Sequence, residues 1–302
     1  MYVAKDHNPA LAALLTLGSA ALAAGTTLLA KALGTGVLGP EMHALQISHG
    51  RFLFALITFG IVALVMRPRF TRVHLRLHVA RSSFGWGGVS LMFAAAAFIP
   101  LSDATAITFL NPVFGMILAI PLLGERVGPV RWSAAGIALI GAAVLTRPGG
   151  GVQEFGVLLA LGAAAFFGME LIAIKLLSRR ENPLQVLLVN NLVGVLIATC
   201  AVLFVWQVPT GAQWVALAAI GVLMAGAQAC FINAVARADA SFVAPFFYAA
   251  LIFAALYDRV IFGVVPDAVS ILGAGIILAG AGLLAWREGR LKGRVGASRL
   301  TR

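Results

Sequence analysis

Charged residues are scarce in this sequence: Asp, Glu, Lys and Arg together make up 11% of its 302 residues. Soluble domains carry about 25% charged residues, because their surface has to be solvated by water. Hydrophobic residues instead make up 61% of the chain, and the mean hydropathy is +0.99. The composition excludes a soluble domain as the main body of the chain and predicts a protein whose solvent is lipid.

Cysteine is nearly absent as well, with only Cys200 and Cys230 in the chain. Both lie inside apolar runs, outside any C-x-x-C or Cys/His spacing, so we expect neither a disulfide nor a metal site. The sequence also lacks the glycine-rich loop that binds ATP phosphates. We therefore expect no cofactor and no ATP-driven activity.

Acidic residues are half as frequent as basic ones, which gives a net charge of +11. This excess does not predict a nucleic-acid partner, because the basic residues lie at the ends of apolar runs and form no basic face. The expected partner of the surface is the lipid bilayer. A span across its apolar core takes about 20 residues.

Ten apolar runs of suitable length follow one another, separated by short polar breaks. They predict an all-α integral membrane protein with ten transmembrane helices near residues 10–34, 43–66, 80–99, 103–123, 129–146, 154–177, 184–206, 212–236, 240–261 and 267–286.

The connections between these spans alternate in charge. One set holds only Lys31, Arg147 and Arg259, whereas the other holds most of the remaining basic residues, Arg76 and Arg81 among them. Because cytoplasmic loops are enriched in Lys and Arg, both termini are predicted to be cytoplasmic. We expect a multi-pass protein of a bacterial inner membrane, with residues 288–302 as a basic cytoplasmic tail.

The two halves of the chain resemble each other. Asp103-Ala104-Thr105 has a counterpart in Asp239-Ala240-Ser241, and Gly124, Gly136 and Gly141 match Gly263, Gly275 and Gly280 at a constant spacing of 139. The first spans match at a spacing of 144, which aligns Thr26 with Glu170. The matches predict five-helix repeats over residues 1–147 and 148–287. An odd number of spans per repeat inverts the second copy, so the two halves can exchange conformations and open a central site to each side in turn.

The segments Ser102–Pro112 (SDATAITFLNP) and Leu123–Arg126 (LGER) resemble the EamA family of the drug/metabolite transporter superfamily. The resemblance extends over about residues 10–286. The second half departs from it at Phe262–Asp267 (FGVVPD), which lacks an acidic residue equivalent to Glu125.

This resemblance implies a basket of ten helices, in which spans one to four and six to nine line a central cavity while spans five and ten pack outside. It also implies a secondary transporter of small organic metabolites, with substrates that range over amino acids, nucleobases and vitamins. Family membership indicates a mechanism and leaves the substrate open.

Ionisable side chains in the middle of a span are costly and are therefore candidates for a substrate site. Glu170 and Arg51 lie near mid-membrane, where they are predicted to bind an amine and an acid, or to pair with each other or the backbone. His49 and Arg51 are about 200° apart on their helix, so they cannot share a cavity. If the substrate needs neutral hydrogen bonds, the side with Gln46 and His49 is favoured as cavity-facing, with Arg51 then structural, and the sequence leaves this choice open.

Further mid-span residues have two interpretations each. Polar Asn111, Asn190 and Gln228 are predicted to line the path or to hold helices together. Aromatic Trp86 and Tyr248 are predicted to form a substrate wall or ordinary packing. Pro112 and Pro245 interrupt corresponding helices, either as hinges or as static kinks.

Coupling and assembly stay open on sequence grounds. Glu170 or His49 is a candidate proton carrier, although exchange or facilitated diffusion needs neither. Glycines in spans five and ten permit close packing within the chain or in a homodimer. The rival functions are an intramembrane enzyme or flippase acting on lipid-linked substrates, a channel and a scaffold. The sequence lacks an H-E-x-x-H motif and a nucleophile elbow, so no enzymatic activity is expected.

Overall fold

The computed structural model describes residues 8–68, 70, 72–124, 127–146, 152–177, 181–237, 243 and 246–283. In this part of the chain the regular secondary structure is helical throughout. The helices are α1 (Pro9–Gly34), α2 (Ala44–Met66), α3 (Leu75–Phe98), α4 (Leu101–Thr108), α5 (Asn111–Leu123), α6 (Pro129–Thr146), α7 (Val152–Leu177), α8 (Pro183–Val202), α9 (Gly211–Val235), α10 (Ala249–Tyr257, continued by the π turn Asp258–Phe262) and α11 (Ala268–Leu283).

The helices have the length and the surface of membrane spans. Among the described residues, six stretches are long and apolar enough to cross a bilayer: α1, α2, α4 with α5, α7, α8 and α9, and two shorter apolar helices correspond to α6 and α11. Large apolar side chains point outwards, and Leu64 and Val65 are 77% and 79% exposed. Because such a surface is stable only against lipid, the chain is a multi-pass membrane protein.

The third helix begins earlier than the sequence predicts, at Leu75 instead of about residue 80. Arg76 and Arg81, expected in a loop, therefore lie in α3. The added turn is polar on one side, and His78, Arg81 and Ser82 are all buried. These polar residues are accommodated within a helix because they face α7 and α8 instead of lipid.

The fourth span was predicted as one helix over residues 103–123 and is two helices instead. The backbone tightens after Thr108, where the Leu110 N–H bonds to the Ile107 carbonyl, and α5 begins at Asn111. Pro112 lies in the first turn of α5, where its missing N–H leaves no helical bond unmade. Bending at this break stays a prediction, and Pro245 lies outside the described residues.

The helices pack in pairs that join the two halves. The helix α1 packs along α9, α3 packs along α7, and α2 packs against α8 and α9. The α4–α5 pair contacts α7, and α10 contacts α1. Glycines allow two of these approaches: an added Cβ at Gly221 would overlap Phe54 of α2, and one at Gly87 would overlap the Phe166 ring of α7.

The helices α6 and α11 make reciprocal contacts. A Cβ on Gly141 would lie 2.6 Å from the Ile277 nitrogen and 2.8 Å from the Gly273 oxygen. A Cβ on Gly280 would lie 2.5 Å from the nitrogen of Ala138 and 2.7 Å from the oxygen of Ala134. The residues of the two contacts correspond in pairs: Gly141 with Gly280, Ala138 with Ile277, and Ala134 with Gly273, each 139 residues apart. The spacing found in the sequence therefore recurs in the packing.

We expect Gly141→Ala and Gly280→Ala each to lower the free energy of unfolding by about 1–3 kcal/mol, because the added methyl group meets backbone atoms that cannot move aside. Gly136→Ala and Gly275→Ala are matched controls on the same helices, since a Cβ there meets nothing within 4 Å. The controls should be neutral or stabilised by up to about 1 kcal/mol. Denaturation in detergent checks this, and equal stabilities of the two pairs would contradict the packing described.

Candidate functional site

A cavity of about 630 Å³ lies among α1, α3, α7, α8 and α9. This volume falls within the range of about 300–1,000 Å³ that is typical of small-molecule sites. It extends from Glu170 in α7 to the helix ends at Pro183 and Ala236. Its walls are mainly apolar, and its polar lining residues are Ser19, Arg81, Glu170, Glu181 and Gln228.

A loose ion pair forms the polar end of the cavity. The Nε atom of Arg81 lies 3.5 Å from Oε1 of Glu170, and the two side chains are 7% and 18% exposed. A second nitrogen of Arg81, NH1, donates a hydrogen bond to the Val186 carbonyl at 3.2 Å, which anchors the guanidinium to α8. The Nε–H group itself has no hydrogen-bond partner among the described residues.

Gly85 provides the space for the Glu170 carboxylate against α3. A Cβ at this position would lie 3.0 Å from both Cδ and Oε1 of Glu170. Because the contact is with the end of a flexible side chain, alanine at position 85 would displace the carboxylate at little cost in stability. The location of the charge therefore depends on this glycine.

A second buried guanidinium adds to the positive charge near this pair. Arg51 in α2 interacts electrostatically with both Glu170 and Arg81. Its guanidinium lies 4.3 Å from the ring centroid of Phe52, within the range of a cation–π contact. The side chain is buried, and its NH1 has no hydrogen-bond partner in the described part of the chain. Two buried cations thus share one carboxylate.

Gln228 and a pair of aromatic rings complete the cavity. Oε1 of Gln228 is buried and lacks a partner within the ranges described, so it can accept a hydrogen bond from a bound molecule. The rings of Phe231 and Phe247 meet edge to face at 5.6 Å and form part of the apolar wall. Of the predicted site residues, Glu170 and Gln228 line the cavity.

The favoured side of α2, with Gln46 and His49, does not line this cavity. Gln46 is buried and exchanges two hydrogen bonds with the backbone of Gln207, at 2.6 and 3.1 Å. His49 lies 3.2 Å from the Thr199 hydroxyl and edge-on to the Trp206 ring. Both residues join α2 to the neighbourhood of α8, whereas Arg51 faces the charged pair.

The other predicted residues lie in helix contacts. Oδ1 of Asn190 accepts a hydrogen bond from the Ser82 hydroxyl at 3.1 Å, which joins α8 to α3. Tyr248 is edge-on to Phe109, with 5.2 Å between the centroids. Trp86 of α3 is half-buried, and its Nε1 has no partner among the residues described. Asn111 is the first residue of α5.

A hydrogen-bonded cluster closes one edge of the cavity mouth. The Glu181 carboxylate accepts hydrogen bonds from the ring and backbone N–H of His74, at 2.9 and 2.8 Å, and from Gln185 at 2.8 Å, and it lies 2.8 Å from the His78 ring nitrogen. Desolvation raises the pKa of Glu181, but hydrogen bonds from His78 and His74 outweigh it and lower that pKa from 4.5 to about 2.

This depressed pKa predicts a specific acid sensitivity. The cluster stabilises the fold at every pH above the ordinary pKa of 4.5, and that stabilisation is lost as the pH falls towards about 2. We expect Glu181→Gln to be less stable than the wild type at pH 7 and to lose less stability between pH 4.5 and 2. Unfolding in detergent measured across this range checks the difference. Parallel pH curves for the two proteins would contradict it.

The opposite end of the bundle is packed by polar contacts. Nζ of Lys31 lies 2.6 Å from Oδ1 of Asp258, and the two side chains are 9% and 0% exposed. The other oxygen of Asp258 accepts hydrogen bonds from the backbone N–H groups of Leu101 and Ser102 at the start of α4. The carboxylate thus joins α1, α4 and the π turn after α10.

The sequence also matches proteins of known function. The sequence pattern of the EamA-like transporter family matches residues 10–147 and, a second time, residues 154–286. The chain belongs to the EamA-like transporter family. Its matches include the riboflavin transporter of Vibrio cholerae, which is 32% identical over 74% of this chain and 79% of that protein.

Other relatives of this EamA-like transporter carry different names. The S-adenosylmethionine uptake transporter of Rickettsia prowazekii is 25% identical over 80% of this chain and 82% of that protein. The pseudopaline exporter of Pseudomonas aeruginosa is 28% identical over 62% and 66%, respectively. A solved crystal structure superimposes with a TM-score of 0.59 at 22% identity, covering 92% of this chain and 98% of that one.

These findings confirm the resemblance and the predicted class of function. This protein transports small metabolites, and its relatives are transporters rather than enzymes.

Sequence reasoning missed Arg81, which it placed in a loop, and the cluster around Glu181. A signal for both was present. His74, His78, Arg81, Ser82 and Gly85 follow the i, i+4, i+7, i+8, i+11 spacing of one helix face. That spacing indicates a helix that begins before residue 80 and turns its polar side inwards.

Proposed function

We propose that this transporter is a secondary carrier that moves a flavin, with riboflavin as the reference substrate, across a bacterial inner membrane by alternating access. The observation that carries the proposal is the cavity of about 630 Å³, whose apolar wall includes two aromatic rings and whose polar lining includes the Arg81–Glu170 pair. A flavin has a flat, largely apolar ring system with polar atoms along one edge, so its shape and polarity match such a site. The riboflavin transporter of Vibrio cholerae, at 32% identity, supports this choice.

Alternating access is supported by the relation between the two halves. The family pattern matches twice, α1 packs on α9 as α7 packs on α3, and the α6–α11 contacts repeat at the spacing of 139. In our proposal these halves are inverted five-helix repeats that exchange conformations and open a central site to each side in turn.

The orientation of the chain assigns a state to the structure. With the basic connections in the cytoplasm, the cavity mouth at Pro183 and Ala236 faces inwards, and the end held by Lys31 and Asp258 faces outwards. The structure then represents an inward-facing state. Impermeant labelling of single cysteines introduced at Val37 and Ala236 in intact cells tests the orientation: only the first should react from outside.

Ligand binding tests the substrate. Purified protein should quench riboflavin fluorescence in a saturable way, and riboflavin should raise the Tm of the protein. At a riboflavin concentration of 100 times the Kd, the free energy of unfolding should rise by about 2.7 kcal/mol. S-adenosylmethionine and free amino acids serve as comparison ligands. Stabilisation by one of these and not by riboflavin would contradict the flavin assignment. Uptake with an imposed pH gradient tests proton coupling, and light scattering tests the homodimer.

A further inference from the structure

We infer that Arg81 and Glu170 together recognise the N–H and C=O groups of a cyclic imide, the group that a flavin carries on its pyrimidine ring. This inference rests on the proposed function and deepens it, because it assigns the end of the substrate that enters the polar part of the cavity. It also defines a substrate class, cyclic imides and lactams, that is wider than flavins.

The close pairing of opposite charges disfavours the two simplest charged ligands. An ammonium group bound to Glu170 would lie within a few ångströms of the Arg81 guanidinium, whose Nε is 3.5 Å from that carboxylate. A carboxylate on the substrate would reach the Nε–H of Arg81 only within a few ångströms of the Glu170 carboxylate, since those two groups are 3.5 Å apart. A neutral group that both accepts and donates meets neither objection.

Arg81 and Glu170 offer one hydrogen-bond donor and one acceptor, which complement the C=O and N–H groups of an imide. Among the residues that the structure describes, the Nε–H of Arg81 is a buried donor without a hydrogen-bond partner, while NH1 of the same side chain is occupied by the Val186 carbonyl. At 3.5 Å from Oε1 of Glu170, this donor is too far for a normal hydrogen bond. A donor and an acceptor thus stand side by side, and the carboxylate is the more exposed of the two.

An adjacent C=O and N–H of a ring satisfy both atoms at once. The ring carbonyl accepts from Arg81 Nε–H, and the ring N–H donates to the Glu170 carboxylate, so each bond involves one ionised partner and is correspondingly strong. Gly85 keeps the carboxylate in place for this contact.

The test compares riboflavin with its N3-methyl derivative, in which the imide N–H is replaced by N–CH₃. Binding to purified protein is followed by flavin fluorescence, for the wild type and for Glu170→Ala. We expect methylation to weaken binding by at least about tenfold in the wild type, since it removes a hydrogen bond to a charged acceptor. The penalty should shrink to less than about threefold in Glu170→Ala, where the acceptor is absent.

Arg81→Lys provides a second route if Glu170→Ala does not purify, because lysine keeps the charge while it changes the position of the donor. Lumiflavin, which keeps the imide and lacks the ribityl chain, should bind to the wild type and show the same sensitivity to Arg81→Lys. Glu41→Gln, which alters an exposed carboxylate outside the cavity, serves as the control for handling and folding.

The outcomes separate this inference from the flavin proposal. If riboflavin and its N3-methyl derivative bind the wild type equally, flavin binding stands and imide recognition is overturned. If no flavin binds but uridine, another cyclic imide, binds and depends on Glu170, the recognition stands and the flavin assignment is wrong. A methylation penalty of the same size in the wild type and Glu170→Ala would show steric exclusion and would also overturn the inference.

Discussion

Asp258→Asn should strongly destabilise this protein. The substitution keeps a side-chain oxygen for the backbone N–H groups of Leu101 and Ser102 but removes the charge that lies 2.6 Å from Lys31. Lys31, whose side chain is 9% exposed, then remains as a buried cation whose remaining contact is the Phe262 ring at 4.6 Å. Breaking one side of a buried ion pair typically costs about 3–5 kcal/mol.

The double variant isolates the cause. Lys31→Met removes the cation, so Asp258→Asn combined with Lys31→Met should be more stable than Asp258→Asn alone, with a coupling of at least about 1 kcal/mol. Unfolding in detergent of the four proteins in this cycle gives the coupling directly. Glu41→Gln, on an exposed carboxylate, should be unchanged. If the two changes at positions 31 and 258 prove additive, the ion pair does not stabilise the fold in the manner described.

Glu170→Gln should abolish measurable transport while the protein still folds. The variant is nearly isosteric, but it leaves Arg51 and Arg81 without their shared carboxylate in the cavity. We expect uptake by liposomes to fall by at least about 100-fold, because the substrate N–H loses its ionised acceptor and the charge balance of the site is lost. The loss of stability should stay at about 1–3 kcal/mol, since the carboxylate faces the cavity and is partly solvated.

Gly85→Ala tests the position of the Glu170 carboxylate, whereas Glu170→Gln tests its charge. It retains Glu170 and displaces its carboxylate, from which the new Cβ would be only 3.0 Å away. Uptake should therefore drop with little change in Tm, whereas Gly18→Ala, where a Cβ meets nothing within 4 Å among the described residues, should leave both unchanged.

Full activity in Glu170→Gln would show that the substrate does not bind at the candidate site.

The sequence predicted those parts of the fold that hydropathy determines. The bounds of α2 and α6 agree with the predicted spans to within one residue, because charge or proline marks both ends of each run. The fourth span was predicted as one helix because the segment from Leu101 to Leu122 is apolar on average, and Pro112 indicated an interruption without showing that two helices result. Hydropathy averages over such a break and contains no information about backbone geometry.

The site was predicted in part, for a similar reason. Depth along the membrane follows from position in the sequence, and it identified Glu170 and Gln228, both of which line the cavity. Rotation about the helix axis depends on which neighbour each helix meets, so it could not be derived for Gln46 or His49. Arg81 was assigned to a loop because a basic residue at the end of an apolar run is usually a topology signal.

Counterflow of riboflavin in liposomes is the measurement that tests alternating-access transport most directly. Vesicles containing the protein are loaded with unlabelled riboflavin and diluted into a trace of labelled riboflavin, with Glu170→Gln vesicles as the control. We expect label to accumulate transiently above its equilibrium level and its entry to saturate, and we expect neither effect in the control. Label that enters without saturation and without stimulation by internal riboflavin would identify a channel and contradict alternating access.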